Sequence, residues 1–299
     1  MTAKPDAPRR RCAPASTSAR KGGGRTAPAA SAAAPSRAGP AAQPASGRDI
    51  AASPAAREAL AWAHTARFFT TAAELHQLPQ SDLPEIAFVG RSNAGKSTAI
   101  NTLAQTRRLA FASKTPGRTQ HINLFHLGPA DAPDALWADL PGYGYAAVPE
   151  AAKHRWQRVM AQYLEVRRNL AGVVMMVDPR HGITALDRTL LEFVAPRVGT
   201  GEVKLLVVLT KADKLTRNDR AKAVQAAQAV LGEFATEEAD IGLAVFSALD
   251  RTGLDDVALA VREWVQAAPV LPAVDMPAPG APAPDDGPAA AGHPDAPPA

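Results

Sequence analysis

Cysteine is almost missing from this chain: among 299 residues only Cys12 occurs. One thiol can form neither a disulfide framework nor a cysteine-based zinc site, and this scarcity suits a reducing cytosol. Long apolar runs are missing too. The most apolar stretches, Gly172 to Val177 and Val203 to Leu209, are far too short to cross a bilayer. No apolar segment follows the N-terminal charges and no lipidation signal is visible, so neither a secretory signal nor a membrane anchor is expected. Large apolar side chains are scarce from Met1 to about Ser53 and from Pro269 to Ala299, where Ala, Pro, Gly, Ser and a few charges dominate. Such segments cannot bury enough surface to offset the entropy of ordering. Residues 1–54 and 269–299 are therefore expected to be disordered tails around one domain over 55–268.

The net charge of +4 and pI of about 9.4 are unevenly spread. Arg9, Arg10, Arg11, Arg20, Lys21, Arg25, Arg37 and Arg48 make the first tail basic, and Asp275, Asp285, Asp286 and Asp295 make the last one acidic. A basic arm can associate loosely with nucleic acid, although a solvated tail is the ordinary reading. The same arm resembles an organellar transit peptide in composition, but its Pro and Gly content works against the amphipathic helix such a peptide needs.

The ordered part is organised around Gly90, Arg91, Ser92, Asn93, Ala94, Gly95, Lys96 and Ser97, which fit G-x-x-x-x-G-K-[ST]. An apolar run, Ile86 to Val89, precedes them as a short strand, and Thr98 to Leu103 follows with helical spacing. In a strand-loop-helix of this kind the loop N–H groups converge on phosphate oxygens at the positive end of the helix. Lys96 would reach the outer phosphates and Ser97 would hold Mg²⁺.

Along the rest of the domain, strands and helices alternate. Residues 55–78 read as a helical lead-in with Phe68, Phe69, Leu75 and Leu78 available for packing. The polar stretch from Arg107 to Gln120, broken by Pro116 and Gly117, reads as an exposed mobile loop. Strands are expected at His121 to Leu127, Ala135 to Leu140, Val173 to Val177, Lys204 to Leu209 and Leu243 to Phe246. Helices are expected from Pro149 through Arg167, over 185–194, over 218–234 and around Leu254 to Val265. The pattern implies an α/β fold of three layers: a mostly parallel, doubly wound sheet with helices on both faces and its ligand at the carboxyl ends of the strands.

Each further candidate site residue falls just after a strand. Asp139, Leu140, Pro141 and Gly142 form D-x-x-G: Asp139 can hold Mg²⁺ through water, and the Gly142 N–H can meet a γ-phosphate. Thr210, Lys211, Ala212 and Asp213 follow the strand Lys204 to Leu209 and bear on the base. A carboxylate at Asp213 accepts from both the N1–H and the 2-amino group of guanine, whereas adenine would leave it unpaired at a cost of several kcal/mol. Guanine is preferred. Lys211 would lay its stem along the base, and Ser247 with Ala248 can close over the guanine O6. In the mobile loop Thr115 and Thr119 both offer a hydroxyl for Mg²⁺; Thr119, directly ahead of a strand, is the better placed. Ordering of that loop by a γ-phosphate, and its release on hydrolysis, would be a switch.

Taken together these segments resemble the EngB family of translation-factor-related GTPases. The resemblance rests on Gly90 to Ser97, Lys114 to Gln120, Asp139 to Tyr145, Thr210 to Asp213 and Phe246 to Ala248, and it covers 67–267. It implies a cytoplasmic bacterial GTPase that assists late assembly of the large ribosomal subunit and is linked to cell division and septum formation. It implies Ser97 and Thr119 as direct Mg²⁺ ligands. The GTP/GDP site would comprise Gly90 to Ser97, then Gly117, Arg118, Thr119, Gln120 and His121, then Asp139 to Gly142, Thr210 to Asp213, and Phe246, Ser247 and Ala248. Lys96, Thr119 and Gly142 would carry the catalytic contacts. Thr210 stands where the commoner N-K-x-D motif has Asn, as is usual in this family.

Ras-like GTPases orient the attacking water with a Gln directly after D-x-x-G; here Tyr143 stands there. Slow intrinsic hydrolysis is expected, with a partner or a cation supplying the missing element. Asn93 is a candidate ligand for a K⁺ bridging the phosphates, or else simply stabilises the loop. Arg107, Arg108, Lys114, Arg118, Lys153, Arg155 and Arg158 cluster in the segments expected to respond to nucleotide. They form a solvated face or a contact with ribosomal RNA. A monomer is expected. The alternatives are a GTPase acting on another RNA such as tRNA, and a P-loop ATPase or kinase, which would have no use for Thr210 to Asp213.

Overall fold

The structure is a computed structural model, and it describes residues 53–110, 121–144 and 150–269, with the side chains of 150–157 left out of the description. Within these, α1 (Pro54–Ala63) opens the domain. It is followed by β1 (Arg67–Ala72), a 3-10 turn (Leu75–Gln77), β2 (Glu85–Gly90), α2 (Lys96–Leu103), β3 (Ile122–Leu127) and β4 (Ala135–Asp139). Next come α3 (Glu150–Val166), β5 (Leu170–Val177), α4 (Ala185–Gly199) and β6 (Lys204–Leu209). A 3-10 turn (Ala212–Lys214), α5 (Arg217–Gly232), β7 (Ile241–Val245) and α6 (Leu254–Ala267) complete the domain.

Seven strands form one sheet in the order β1-β3-β4-β2-β5-β6-β7. The pairs β2/β4, β2/β5, β5/β6 and β6/β7 are parallel. The pairs β1/β3 and β3/β4 are antiparallel. The mostly parallel, doubly wound reading holds, with an antiparallel margin on one side. Both faces are covered, which is why β2 is buried along its whole length. Its residues alternate between two cores, as strand geometry requires. Ile86 and Phe88 join the core under α1, α2 and α6, whereas Ala87 and Val89 join the one under α3, α4 and α5.

The lead-in over 55–78 is α-helical only at its start and closes with the 3-10 turn at Leu75–Gln77. Arg67 to Ala72 form the edge strand β1, registered on β3 with Arg67 opposite His126 and a shift between Phe68 and Thr70. Phe68 stays 57% exposed, contrary to the expected packing. Phe69 stacks on His126 at 3.9 Å between ring centroids. β-branched and aromatic residues favour a strand here, and an edge position leaves one side of them in solvent. α1 itself is tied down by Trp62, whose Nε1–H donates to Asp134 Oδ1 at 2.8 Å. Arg262 of α6 donates to the other oxygen of Asp134 and lies 4.8 Å over the Trp62 ring. None of the described helices is long and apolar enough to cross a membrane.

Candidate nucleotide site

The parallel pairing brings the carboxyl ends of β2, β4, β5, β6 and β7 to one edge. β3 runs the other way and pairs Asn123 with Asp139, so its first residues, with His121 ahead of them, lie at that edge as well. At this edge the sequence-derived segments meet, save for Gly117, Arg118, Thr119 and Gln120, and Lys114 and Thr115 with them, which lie outside the described residues.

β2 ends at Gly90, which cannot be replaced without movement: a Cβ there would lie 2.7 Å from the Met176 carbonyl oxygen on β5. The loop then turns through Asn93 at φ 67° and Gly95 at φ 100°, left-handed values that favour Asn and Gly. Ala94 N–H donates to Arg91 O at 2.9 Å, closing the turn. Gly95 starts α2, so the N–H groups of its first turn, Lys96 and Ser97 included, have no partner within the helix. That is the arrangement an anion exploits.

Lys96 is buried and its ammonium is paired with Asp139 Oδ1, while Asp139 Oδ2 is buried with no partner. The lysine expected to reach the phosphates and the carboxylate expected to hold Mg²⁺ are thus neighbours. Gly142 lies against the phosphate loop: a Cβ on it would be 3.3 Å from the N, Cα and Oγ of Ser92. Leu140 packs in the core, and Tyr143 pairs with Arg91 as an isolated parallel bridge.

On the other side, β6 is followed by Thr210, whose hydroxyl donates to the Ala94 carbonyl oxygen at 2.5 Å and lies 3.2 Å from that of Val177. Lys211, at φ 53°, sends its ammonium to the Asn93 carbonyl oxygen at 2.6 Å and to Asp178 Oδ2 at 2.9 Å. Its stem is therefore strung between β6 and the phosphate loop. Ala212 N–H donates to Phe246 O at 3.1 Å, which binds the two base-side segments together. Asp213 Oδ1 accepts from the buried Ser247 hydroxyl at 2.9 Å, and Lys214 lies 3.2 Å from Oδ2. The Ser247 hydroxyl, ahead of Lys214, lowers the Asp213 carboxyl and keeps it an acceptor. Ala248 follows in the same turn.

Asp178, just beyond β5, was missed by the sequence reading, and so were Arg180 and Asp187. Asp178 is 9% exposed and accepts from Arg180 Nε at 2.9 Å and Nη2 at 2.6 Å as well as from Lys211. Burial would raise its pKa, but these bonds to Arg180 and Lys211 outweigh that and hold the carboxyl far below its usual range. The available signal was an acid directly after a wholly apolar strand. Arg91, Asp178, Arg180, His181, Asp187 and Lys211 help line a cavity of about 220 Å³ beside the loop.

A doubly wound sheet carrying a phosphate loop, a D-x-x-G turn and a guanine-type base motif at one edge defines the class of P-loop GTPases. The profile of a family described as 50S ribosome-binding GTPase matches residues 85–211. A protein of Albidiferax ferrireducens described as a probable GTP-binding protein EngB is 59% identical over 212 residues, 70% of this chain and 98% of its own length. One of Burkholderia pseudomallei with the same description is 51% identical over 207 residues, covering 69% of this chain and 93% of its own length. A solved structure of a probable GTP-binding protein engB aligns at 19% identity and TM-score 0.48, over 61% of this chain and 98% of that one. The chain belongs to the EngB family of GTP-binding proteins and is a GTPase.

Proposed function

We propose that this GTPase is an Mg²⁺-dependent switch that acts in the cytoplasm on the precursor of the large ribosomal subunit, through ribosomal RNA, and is needed for normal cell division and septation. The observation that carries the switch is that Gly142 lies beside Ser92, with 3.3 Å between a Cβ added to it and the nearest Ser92 atoms: the residue expected to sense a γ-phosphate is next to the loop expected to hold it. Gly90 to Ser97 grip the phosphates, Asp213 with Ser247 reads guanine, and Ala248 closes over it. Thr119, with Gly117, Arg118, Gln120 and His121, comes in when a γ-phosphate is present. The residues suit a magnesium ion, because Asp139 Oδ2 is buried without a partner, as a carboxylate reserved for a hydrated cation would be. Ser97 and Thr119 would be its direct ligands. An ion held there would supply positive charge to offset the negative charge that develops on the phosphate oxygens.

The chain's own part is electrostatic and positional. Phosphate oxygens draw the Lys96 ammonium away from Asp139, and the Gly142 N–H donates to the γ-phosphate as water attacks it and the bond to the β-phosphate oxygen breaks. Tyr143, where a water-orienting Gln stands in Ras-like enzymes, keeps its phenol on Asp187. Hydrolysis is therefore slow until a partner, or a K⁺ held with help from Asn93, supplies the missing element. Arg107, Arg108 and Arg158 are exposed, as an RNA contact needs. Lys114 and Arg118 and the side chains of Lys153 and Arg155 lie outside the described residues.

The family description of a 50S ribosome-binding GTPase supports the ribosomal target. Sedimentation of ribosomal particles with the protein loaded with GTP, a non-hydrolysable analogue or GDP tests it. Retention on large-subunit precursors is expected with GTP and the analogue but not with GDP; retention with all three, or with none, overturns it.

A further inference from the structure

Tyr143 is held at three points on two elements. Its N–H donates to Gly90 O at 3.3 Å and its carbonyl oxygen accepts from Ser92 N–H at 2.7 Å, which fixes its backbone along the phosphate loop. Its hydroxyl donates to Asp187 Oδ1 at 2.7 Å, which fixes its side chain to the start of α4. Both residues are buried, Tyr143 at 3% and Asp187 at 1% exposure. Burial, and then the neighbouring Asp187 carboxylate, push the phenol well above its ordinary pKa, so it stays a donor. Asp187 is itself tied down. Its other oxygen accepts from the Thr184 N–H and hydroxyl, each at 2.7 Å, in the capping box that begins α4.

Gly142 directly precedes this clamped residue and lies close to Ser92, where an added Cβ would come to 3.3 Å. An amide so bracketed has little freedom to shift or rotate. A donor held in place before the ligand arrives loses less entropy on binding and meets its acceptor with better geometry.

We infer that Asp187 is a positioning residue of the nucleotide switch: through the Tyr143 hydroxyl it stations the Gly142 N–H for a γ-phosphate and so sets the preference for a triphosphate over a diphosphate. The inference rests on the proposed contact between Gly142 and the γ-phosphate. GDP has no group at that position, so its binding does not draw on the clamp. Tyr143→Phe is the clean probe, because it removes one oxygen and keeps the ring that packs in the core. Asp187→Ala also strips the α4 cap.

The experiment is equilibrium binding of GDP and of an imido analogue of GTP to the full chain. Tyr143→Phe is expected to weaken the analogue about ten-fold, as for loss of a hydrogen bond to a charged group, and GDP by less than about two-fold. Asp187→Ala should show the same selective loss, and the double variant should show no further selective loss. Equal weakening of both nucleotides by Tyr143→Phe, or no change in either, overturns the inference. Gly142→Pro, which removes the N–H itself, separates the inference from its premise. If that variant keeps the triphosphate preference, the γ-phosphate contact falls and the inference with it. If Gly142→Pro loses the preference while Tyr143→Phe keeps it, the inference alone fails.

Discussion

The hydroxyl of Thr210 donates to the carbonyl oxygen of Ala94 at 2.5 Å, joining the end of β6 to the middle of the phosphate loop. Because Thr210 is only 2% exposed, water cannot replace the bond. Thr210→Val keeps the shape and leaves the Ala94 oxygen unsatisfied, at about 1–3 kcal/mol. The expected outcome is a lower denaturation midpoint together with weaker binding of both GTP and GDP, since the loop serves both. Titration of each nucleotide beside a urea melt checks it.

Asp213, expected to read the base, accepts from the Ser247 hydroxyl through Oδ1. Guanine offers it two N–H donors, whereas xanthine carries a carbonyl in place of the 2-amino group. Asp213→Asn should therefore weaken GTP by about 100-fold, in line with sites built to pair a specific polar group, and improve binding of xanthosine triphosphate. Competition between the two nucleotides reads the exchange directly. An unchanged ranking would remove Asp213 from the base site.

A potassium requirement is expected from Tyr143, whose phenol donates to Asp187 where a water-orienting side chain stands in Ras-like enzymes. If Asn93 helps hold a K⁺ at the phosphates, turnover in K⁺ should exceed that in Na⁺, and Asn93→Ala should abolish the difference while leaving the slower rate. Phosphate release in the two salts at equal ionic strength measures this, and equal rates in the wild-type protein would retire the cation.

Much of this edge was legible because motif residues declare themselves one after another along the chain. Gly90 to Ser97 and Thr210 to Asp213 come at the ends of strands that are apolar after their first residue, and a parallel sheet has only one edge to which such ends go. What the sequence hid is contact between distant residues. The pairing of Lys211 with Asp178 spans β5 and β6, and that of Tyr143 with Asp187 joins a turn to the start of a helix. Neither leaves a local pattern. β1 escaped for another reason: Phe68, Phe69, Thr70 and Thr71 break the alternation of a half-buried strand, since a register shift at Phe68/Thr70 disturbs it. The helical period of α1 was then read through into it.

Asp178 adds a pH signature. Its folded pKa lies below its unfolded value, so its contribution to stability is fully present above the ordinary carboxylate range and is lost as the pH falls through that range and below it. Asp178→Asn should flatten the acid limb of the stability curve, most visibly from about pH 4 downward, while lowering stability at neutral pH. It also releases the Lys211 ammonium from one of its two partners, so GTP and GDP should weaken together. Melts from pH 7 to pH 3, run on both proteins, show whether the difference between them shrinks on acidification as this sign requires.

At the opposite end of the sheet, Glu85 opens the strand that leads to the phosphate loop and is fully buried. It accepts from the Tyr163 hydroxyl of α3 and from Arg167 Nε and Nη2 at 3.0 and 2.8 Å; Arg167 also donates to Pro79 O at 3.0 Å. The C-terminal end of α3, the helix that follows the D-x-x-G segment, is thereby pinned to the amino end of β2. Removing the acid strands a largely buried guanidinium, and breaking such a pair costs about 3–5 kcal/mol. Glu85→Ala should lose that much by urea denaturation. Glu85→Gln, which still offers an oxygen to Tyr163, should lose less. Because the cluster is remote from the nucleotide edge, the ratio of GTP to GDP affinity in Glu85→Gln should match the wild-type protein. A changed ratio would mean that the anchored end of α3 is coupled to the switch instead of serving only as its fixed support.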